Sequence, residues 1–175
     1  FKLTHLPVVD DENFLGLISQ EDLMNEEDKN TTLHFLQPAF LPAVINGNSH
    51  FLKTVALCNL YHTNIVAVTG DNNEFLGTIS SEALLTALGS FCGAAENGAI
   101  IVLDVERSKF SVSEINSIIE SDGATILHLN VVPHILSHLL EVTLQINKKE
   151  VSTIIATFER YEYSVTFYSG EELFE

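Results

Sequence analysis

Basic residues are scarce in this chain. Eight Lys and Arg stand against 24 Asp and Glu, which gives a formal net charge of −16. Such a surface repels phosphate backbones and anionic lipid through the long-range Coulomb interaction. The charge balance therefore argues against nucleic acid and against a membrane surface as partners.

The sequence also lacks a long apolar run and has few cysteines. The longest uncharged segments, 30–52 and 123–140, are interrupted by Pro, Asn, Gly and His, and neither offers the roughly 20 apolar residues of a membrane span. Cys58 and Cys92 lie outside any CxxC or metal-ligand spacing, which indicates buried thiols in a reducing compartment. We therefore expect a soluble, cytoplasmic protein.

What the chain does have is apolar content sufficient for one large domain or two small ones. Its 175 residues are 46% apolar, enough to build a core. The chain starts at Phe1, and strand-like sequence begins almost at once, at Thr4. We therefore expect the first domain to be incomplete at its N-terminus.

An internal repeat is the clearest pattern. Residues 5–23 and 65–84 share a strand, a polar turn, a second strand with the sequence Phe-Leu-Gly-x-Ile-Ser, and a helix that opens at the Ser. Between the copies, Ser49 is predicted to cap a helix. The helical spacing places five of its residues inward: Phe51, Leu52, Val55, Cys58 and Leu60.

A second pattern follows a small-residue segment, 89–98, that we interpret as a domain boundary. Ser111-x-x-Glu114 forms a capping box that opens a helix ending before Gly123. A weaker cap at Asn147 opens a helix with one apolar stripe: Val151, Ile154, Ile155, Phe158 and Tyr161. With strands at 99–103, 126–132, 140–146 and 164–168, the order is βαββαβ, a two-layer α+β fold with both helices on one face.

These residues resemble two known regulatory families. The repeated unit is similar to the cystathionine-β-synthase (CBS) domain, which occurs in tandem as a Bateman module, and the βαββαβ segment resembles ACT-type domains. The resemblance implies a CBS-like pair of βαββα repeats over 1–90, with the first repeat lacking its N-terminal part, and an ACT-like, ferredoxin-like domain over 98–175. Acetoin-utilisation-type proteins have this arrangement.

In CBS pairs the segment G-h-h-[ST]-x-x-D, here residues 16–22, binds adenosyl ligands. An ionised Asp22 could accept both hydroxyls of a ribose, and Ser19 could contact a phosphate. The adenine would lie against Leu6 and Pro7, with His5 completing the ligand-binding set. Ser19 and Asp22 are also spaced as a helix cap and its acid, so a purely structural role stays open.

Other positions depart from the family patterns. In the second repeat Ala83 replaces the Asp, and Glu82 lies one residue early, about 100° around the helix. The acidic net charge favours adenosine monophosphate (AMP) or S-adenosylmethionine over adenosine triphosphate (ATP). In the ACT-like part, the turn at 104–110 has no glycine, so an amino-acid site is not expected there.

The sequence leaves three functions open. The first is a non-catalytic regulatory module that senses AMP, ADP, ATP or S-adenosylmethionine and acts through a homodimer, with no required cofactor. The second is a dimerisation module whose ligand site has decayed. The third, a metal-dependent enzyme, would need His128, His134 and His138 to converge, and no acidic partner accompanies them in the sequence; no metal site and no catalytic residue are expected.

Overall fold

The computed structural model of this chain describes residues 3–26, 28 and 31–170. Its fold is α+β, as predicted, and it divides into two compact units, Phe1–Leu88 and Gly89–Glu175. Within the described part of the chain, none of the five helices has the length and apolar content that crossing a membrane requires.

The first unit is built from two β-hairpins and their helices. Strands β1 (His5–Asp10) and β2 (Asn13–Ser19) form an antiparallel hairpin. Strands β3 (Val44–Asn46), β4 (Ile65–Thr69) and β5 (Phe75–Ser80) form a sheet in which β3 runs parallel to β4. The helices are α1 (Gln20–Asn25), α2 (Leu52–Tyr61) and α3 (Ser81–Phe91), and a short 3₁₀ segment, Leu33–Ala39, follows α1.

The predicted duplication is visible in the strand register. His5 pairs with Ser19 in the first hairpin, and Ile65 pairs with Ser80 in the second. In both hairpins the register shifts by one residue after the Val that pairs with the Gly of the repeated Phe-Leu-Gly sequence, so the two hairpins bend at the same place. The second copy is complete as β3-α2-β4-β5-α3, and the first is described from β1 onward.

The two hairpins bond to each other reciprocally at their turns. The backbone N–H of Phe14 donates to the carbonyl of Asn73 at 3.2 Å, and that of Phe75 donates to the carbonyl of Glu12 at 2.7 Å. The rings of Phe14 and Phe75 stack at 6.2 Å between centroids. The equivalent aromatic residues of the repeats thus close one end of the small core, which also contains Leu17, Ala43, Ile65 and Ala67.

Helix α2 departs from its predicted orientation. Ser49 does not cap it, since the helix begins at Leu52 after an N-cap at Phe51 without a side-chain bond. Thr54 is the residue of this helix that is buried, whereas Leu52 and Leu60 are 42% and 66% exposed and Cys58 is half-buried. The predicted inward stripe was therefore wrong, because none of its five residues is buried: Leu52 and Leu60 are exposed, and the other three are half-buried.

The second unit has the predicted βαββαβ order. Its elements are β6 (Ala99–Glu106), α4 (Val112–Ser121), β7 (Ile126–Pro133), β8 (Leu139–Ile146), α5 (Ser152–Arg160) and β9 (Ser164–Ser169). The sheet is antiparallel in the order β7-β8-β6-β9. Both helices pack on one face over alternate strand residues, with Phe158 at the centre of a core that includes Ile101, Leu103, Ile115, Ile119, Leu144 and Ile154.

The helix ends of this unit confirm one predicted cap and correct another. Ser111 caps α4 by accepting from the backbone N–H of Glu114, as the capping box predicts. The Glu114 carboxylate accepts from the hydroxyl of Tyr163, so only the serine half of the capping box is formed.

Asn147 does not cap α5, because its side chain accepts from the N–H of Thr125. Tyr161, predicted on the apolar stripe, is 51% exposed because the helix has already ended. The sequence segment read as aperiodic from residue 89 still includes the last turn of α3.

Two equivalent glycines provide a matched test of the first unit. Gly16 and Gly77 have similar backbone angles, with φ of +157° and +149°, but a Cβ at Gly16 would lie 2.6 Å from Cβ of Phe40, whereas a Cβ at Gly77 meets open space. We expect Gly16→Ala to lower the free energy of unfolding by about 1–3 kcal/mol more than Gly77→Ala, because only the first is overpacked. Amide hydrogen exchange in β2 and β4 measures the free energy of unfolding of this unit. If the two variants lose equal amounts of this free energy, the prediction is contradicted.

Candidate functional site

The end of the first hairpin brings together two residues of the predicted site. Strand register places His5 opposite Ser19, which is the last residue of β2. The backbone N–H of Gln20 donates to the carbonyl of Thr4 at 2.9 Å, so α1 begins directly after the strand pair. Side chains from β1, β2 and α1 therefore converge at this edge.

Ser19 and Asp22 bond to each other in two ways. The Ser19 hydroxyl oxygen accepts from the backbone N–H of Asp22 at 2.9 Å, which is N-cap geometry, and the hydroxyl donates to Oδ2 of Asp22 at 2.6 Å. The structural role that the spacing left open is therefore present. A carboxylate has about four acceptor positions, and this bond uses one of them on an exposed side chain.

His5 is the buried titratable group of this site. Its side chain is 9% exposed, and its Nδ1 lies 2.8 Å from the hydroxyl of Thr4. Burial lowers the pKa of His5 below its usual value, and the negative charge of Asp22 acts in the opposite direction. The imidazole is therefore neutral near pH 7, able to donate one hydrogen bond and accept another.

A cavity of about 630 Å³ opens beside these residues. His5 and Ser19 line it. Asp22 is not a lining residue, but its carboxylate accepts a hydrogen bond from the hydroxyl of Ser19. Leu6 and Pro7, predicted to contact the adenine, lie further along β1 and are not among the lining residues. The rest of the lining is formed by Leu3, Thr4, Gln20, Glu21, Met24 and Asn25.

Sequence reasoning missed Met24, although a helical signal could have found it. Residues four apart on a helix lie on the same face, and Gln20 Nε2 lies 3.5 Å from the Met24 sulfur. Once Ser19 is taken as the start of α1, the same face contains Gln20 and Met24. The apolar part of the lining therefore comes from the helix and from Leu3, which precedes β1.

The second repeat keeps the serine cap but not the carboxylate. Ser80 accepts from the backbone N–H of Ala83 at 3.2 Å, just as Ser19 accepts from Asp22. Ala83 therefore occupies the place of the acid and offers no acceptor to a ligand.

The second unit contains a cavity of about 480 Å³ at the turn after β6. Lys109 is the cation of its lining, with Nζ 4.0 Å from Glu106 and 3.8 Å from Glu162. Tyr163 donates to Oε2 of Glu114 at 2.6 Å, and burial together with this acidic partner raises the pKa of Tyr163. Acidic side chains outnumber the single lysine in this lining, so a ligand carboxylate would meet Coulomb repulsion there.

The structure does not bring the three predicted histidines together as a metal site. The His128 ring packs edge-on against Phe91 at 5.5 Å, and His138 accepts a bond from Arg107 through its carbonyl. His134 Nε2 lies 3.1 Å from Oδ1 of Asp104. The expectation that no acidic partner accompanies the histidines was therefore wrong, because Asp104 is distant in sequence and close in space.

Cys58 is only partly buried, contrary to the expectation of a core position. Desolvation nevertheless raises the pKa of its thiol, so the reactive thiolate is disfavoured. Neither cysteine forms a disulfide.

The electrostatic link between Asp22 and His5 generates a prediction. Asp22→Asn removes the negative charge that opposes desolvation, so the pKa of His5 should fall further below its usual value. Because the pKa of His5 is lowered in the folded state, the unfolded chain binds more protons than the folded chain. The free energy of unfolding therefore decreases as pH falls through about 6.5, and it decreases more steeply in the variant. NMR titration of the His5 ring measures the shift. Glu21→Gln is the control, and an equal shift in that variant would refute the specific role of Asp22.

The first residues of the chain match a known family model. The family model described as the CBS domain matches residues 1–29. No curated protein matches the chain. Among solved structures, a CBS domain pair/ACT domain protein from Thermotoga maritima is similar over 50% of this chain and 71% of its own, with 18% identity and a TM-score of 0.45.

A CBS domain-containing protein from Bacillus anthracis is similar over 50% of this chain and 69% of its own, with 16% identity and a TM-score of 0.39. A CBS domain protein from Streptococcus pneumoniae is similar over 51% and 66%, with 18% identity and a TM-score of 0.37. The match to a family model is thus confined to the segment that contains His5, Ser19 and Asp22.

Proposed function

We propose that this chain is a non-catalytic regulatory module that binds an adenosyl ligand in its first unit and acts through a dimeric assembly. The observation that supports the proposal is the cavity beside His5 and Ser19, with the Asp22 carboxylate one hydrogen bond away. Its volume of about 630 Å³ lies in the range of small-molecule sites.

The donors and acceptors at this edge suit a ribose and an attached purine. Asp22 is an acceptor with room for two hydroxyl donors once Ser19 shares or releases its bond. Neutral His5 offers a donor or acceptor at the wall of the cavity. Leu3 and Met24 supply apolar surface for a base, in place of the Leu6 and Pro7 that the sequence suggested.

Charge favours a ligand with few negative groups. Glu21 also lines the cavity, and the chain as a whole carries a net charge of −16. Each added phosphate therefore costs Coulomb energy at this site. AMP or S-adenosylmethionine fits this field better than ATP.

Regulation requires that ligand binding change the population of conformations or assemblies. Exposed apolar residues on α2 and α3 of the first unit, Leu52, Leu60 and Leu85, offer a surface for a second copy of the chain. We propose that a homodimer formed there and through the ACT-like second unit transmits the effect of the ligand. The process regulated is one that responds to adenosyl metabolites.

A second function, assembly without ligand, is favoured by one specific observation. The Asp22 carboxylate already accepts a bond from the Ser19 hydroxyl within the helix cap, and the second repeat has Ala83 in place of this carboxylate. In that case the motif serves as a helix cap, and dimerisation is the whole function.

Ligand titration distinguishes the two functions. We expect AMP or S-adenosylmethionine to stabilise the full chain by about 2.7 kcal/mol at 100 times its dissociation constant. Asp22→Asn should weaken binding about tenfold or more, because it replaces charge-assisted hydrogen bonds. Calorimetric titration measures both affinities.

Glu82→Gln is the matched control, since it removes one negative charge from the corresponding helix of the second repeat. An equal loss of ligand affinity in both variants would show that the ligand does not contact Asp22. If neither compound binds, and light scattering shows a dimer, the assembly function replaces the sensory one.

A further inference from the structure

The four-stranded sheet of the second unit has one face that α4 and α5 do not cover, which we call the uncovered face. Alternate residues of β6 and β8, among them Leu103 and Val142, are fully buried beneath α4 and α5. Asp104 and Glu141 are their direct neighbours in sequence, so both lie on the opposite, uncovered face. The register pairs these two residues directly across the two strands.

Two carboxylates placed opposite each other on neighbouring strands repel. Within the part of the chain that the structure describes, no ion pair joins a lysine or an arginine to Asp104 or to Glu141. The side chain of Asp104 is only 25% exposed, which limits the screening that water provides. Within the described part of the chain, the pair therefore has no lysine or arginine to neutralise it.

His134 completes the group from a third strand. It directly follows β7, where its backbone N–H donates to the carbonyl of Leu139 at 3.1 Å. Because β8 lies between β7 and β6, its ring must reach over β8 to place Nε2 3.1 Å from Oδ1 of Asp104. One ligand atom from each of Asp104, His134 and Glu141 lies within 4.8 Å of the others.

The spacing and the donor types suit a divalent ion. Metal–ligand bonds of about 2.0–2.2 Å place neighbouring ligands of one ion about 3.0–3.5 Å apart, and the separation of Asp104 and His134 has this value. One imidazole nitrogen with carboxylate oxygens is a ligand set for borderline ions such as Zn²⁺, whereas an all-oxygen set suits Mg²⁺ and Ca²⁺. Three protein ligands also leave positions for water.

We propose that Asp104, His134 and Glu141 form a binding site for a borderline divalent metal ion on the uncovered face of the second unit. The ion neutralises the facing carboxylates and joins the β7–β8 hairpin to β6. This site is separate from the adenosyl cavity and does not depend on the function proposed there.

Zn²⁺ titration of the full chain by calorimetry tests the site. We expect one Zn²⁺ bound per chain, and an affinity at least about tenfold lower in His134→Ala, in Asp104→Asn and in Glu141→Gln. Circular dichroism verifies that each variant is folded, and the three substitutions remove the ligands one at a time. Mg²⁺ should bind much more weakly than Zn²⁺, because it gains little from the imidazole.

His138→Ala is the matched control, since it removes an imidazole from the same hairpin outside the group, and its affinity should equal that of the parent chain. NMR of the parent chain should show the His134 ring signal shifting with Zn²⁺. The proposal is overturned if Zn²⁺ does not bind up to about 1 mM, if His134→Ala binds as tightly as the parent, or if His138→Ala loses as much affinity as His134→Ala.

Discussion

Backbone pairing of antiparallel strands decides, in both units, which side chains reach a core and which stay on the surface. Neighbouring residues of a strand point to opposite faces, so a register fixes every side chain along the pair. In the first unit the same register occurs twice, with the same shift after Val8 and after Val68. In the second unit it sets Leu103 into the core and Asp104 onto the uncovered face.

The two candidate sites both follow from this constraint. His5 and Ser19 become neighbours because they close the same hairpin, and α1 begins where that hairpin ends. Asp104 and Glu141 become neighbours because they face each other across β6 and β8. In each case carboxylates lie in a chain with eight Lys and Arg against 24 Asp and Glu, so few cations can neutralise them.

Local signals in the sequence were reliable where one short-range interaction dominates. The Ser111 cap and the stop at Gly123, with its φ of +72°, follow from backbone groups that a helix end must satisfy. The cap proposed at Asn147 failed because its side chain is used elsewhere. Asn147 finds a better partner in the N–H of Thr125, 22 residues away, and such a competitor cannot be seen in a local pattern.

The amino-acid sequence by itself determined the duplication, the βαββαβ order and the pairing of Ser19 with Asp22, because each depends on residues that are close along the chain. Tertiary structure alone decided that none of the predicted inward residues of α2 is buried and that Leu6 and Pro7 lie outside the lining of the cavity. It also decided that His134 meets Asp104 instead of other histidines. These outcomes depend on which surfaces meet after folding. Asp104 and His134 are 30 positions apart, and no periodic pattern in the sequence between them signals that they meet.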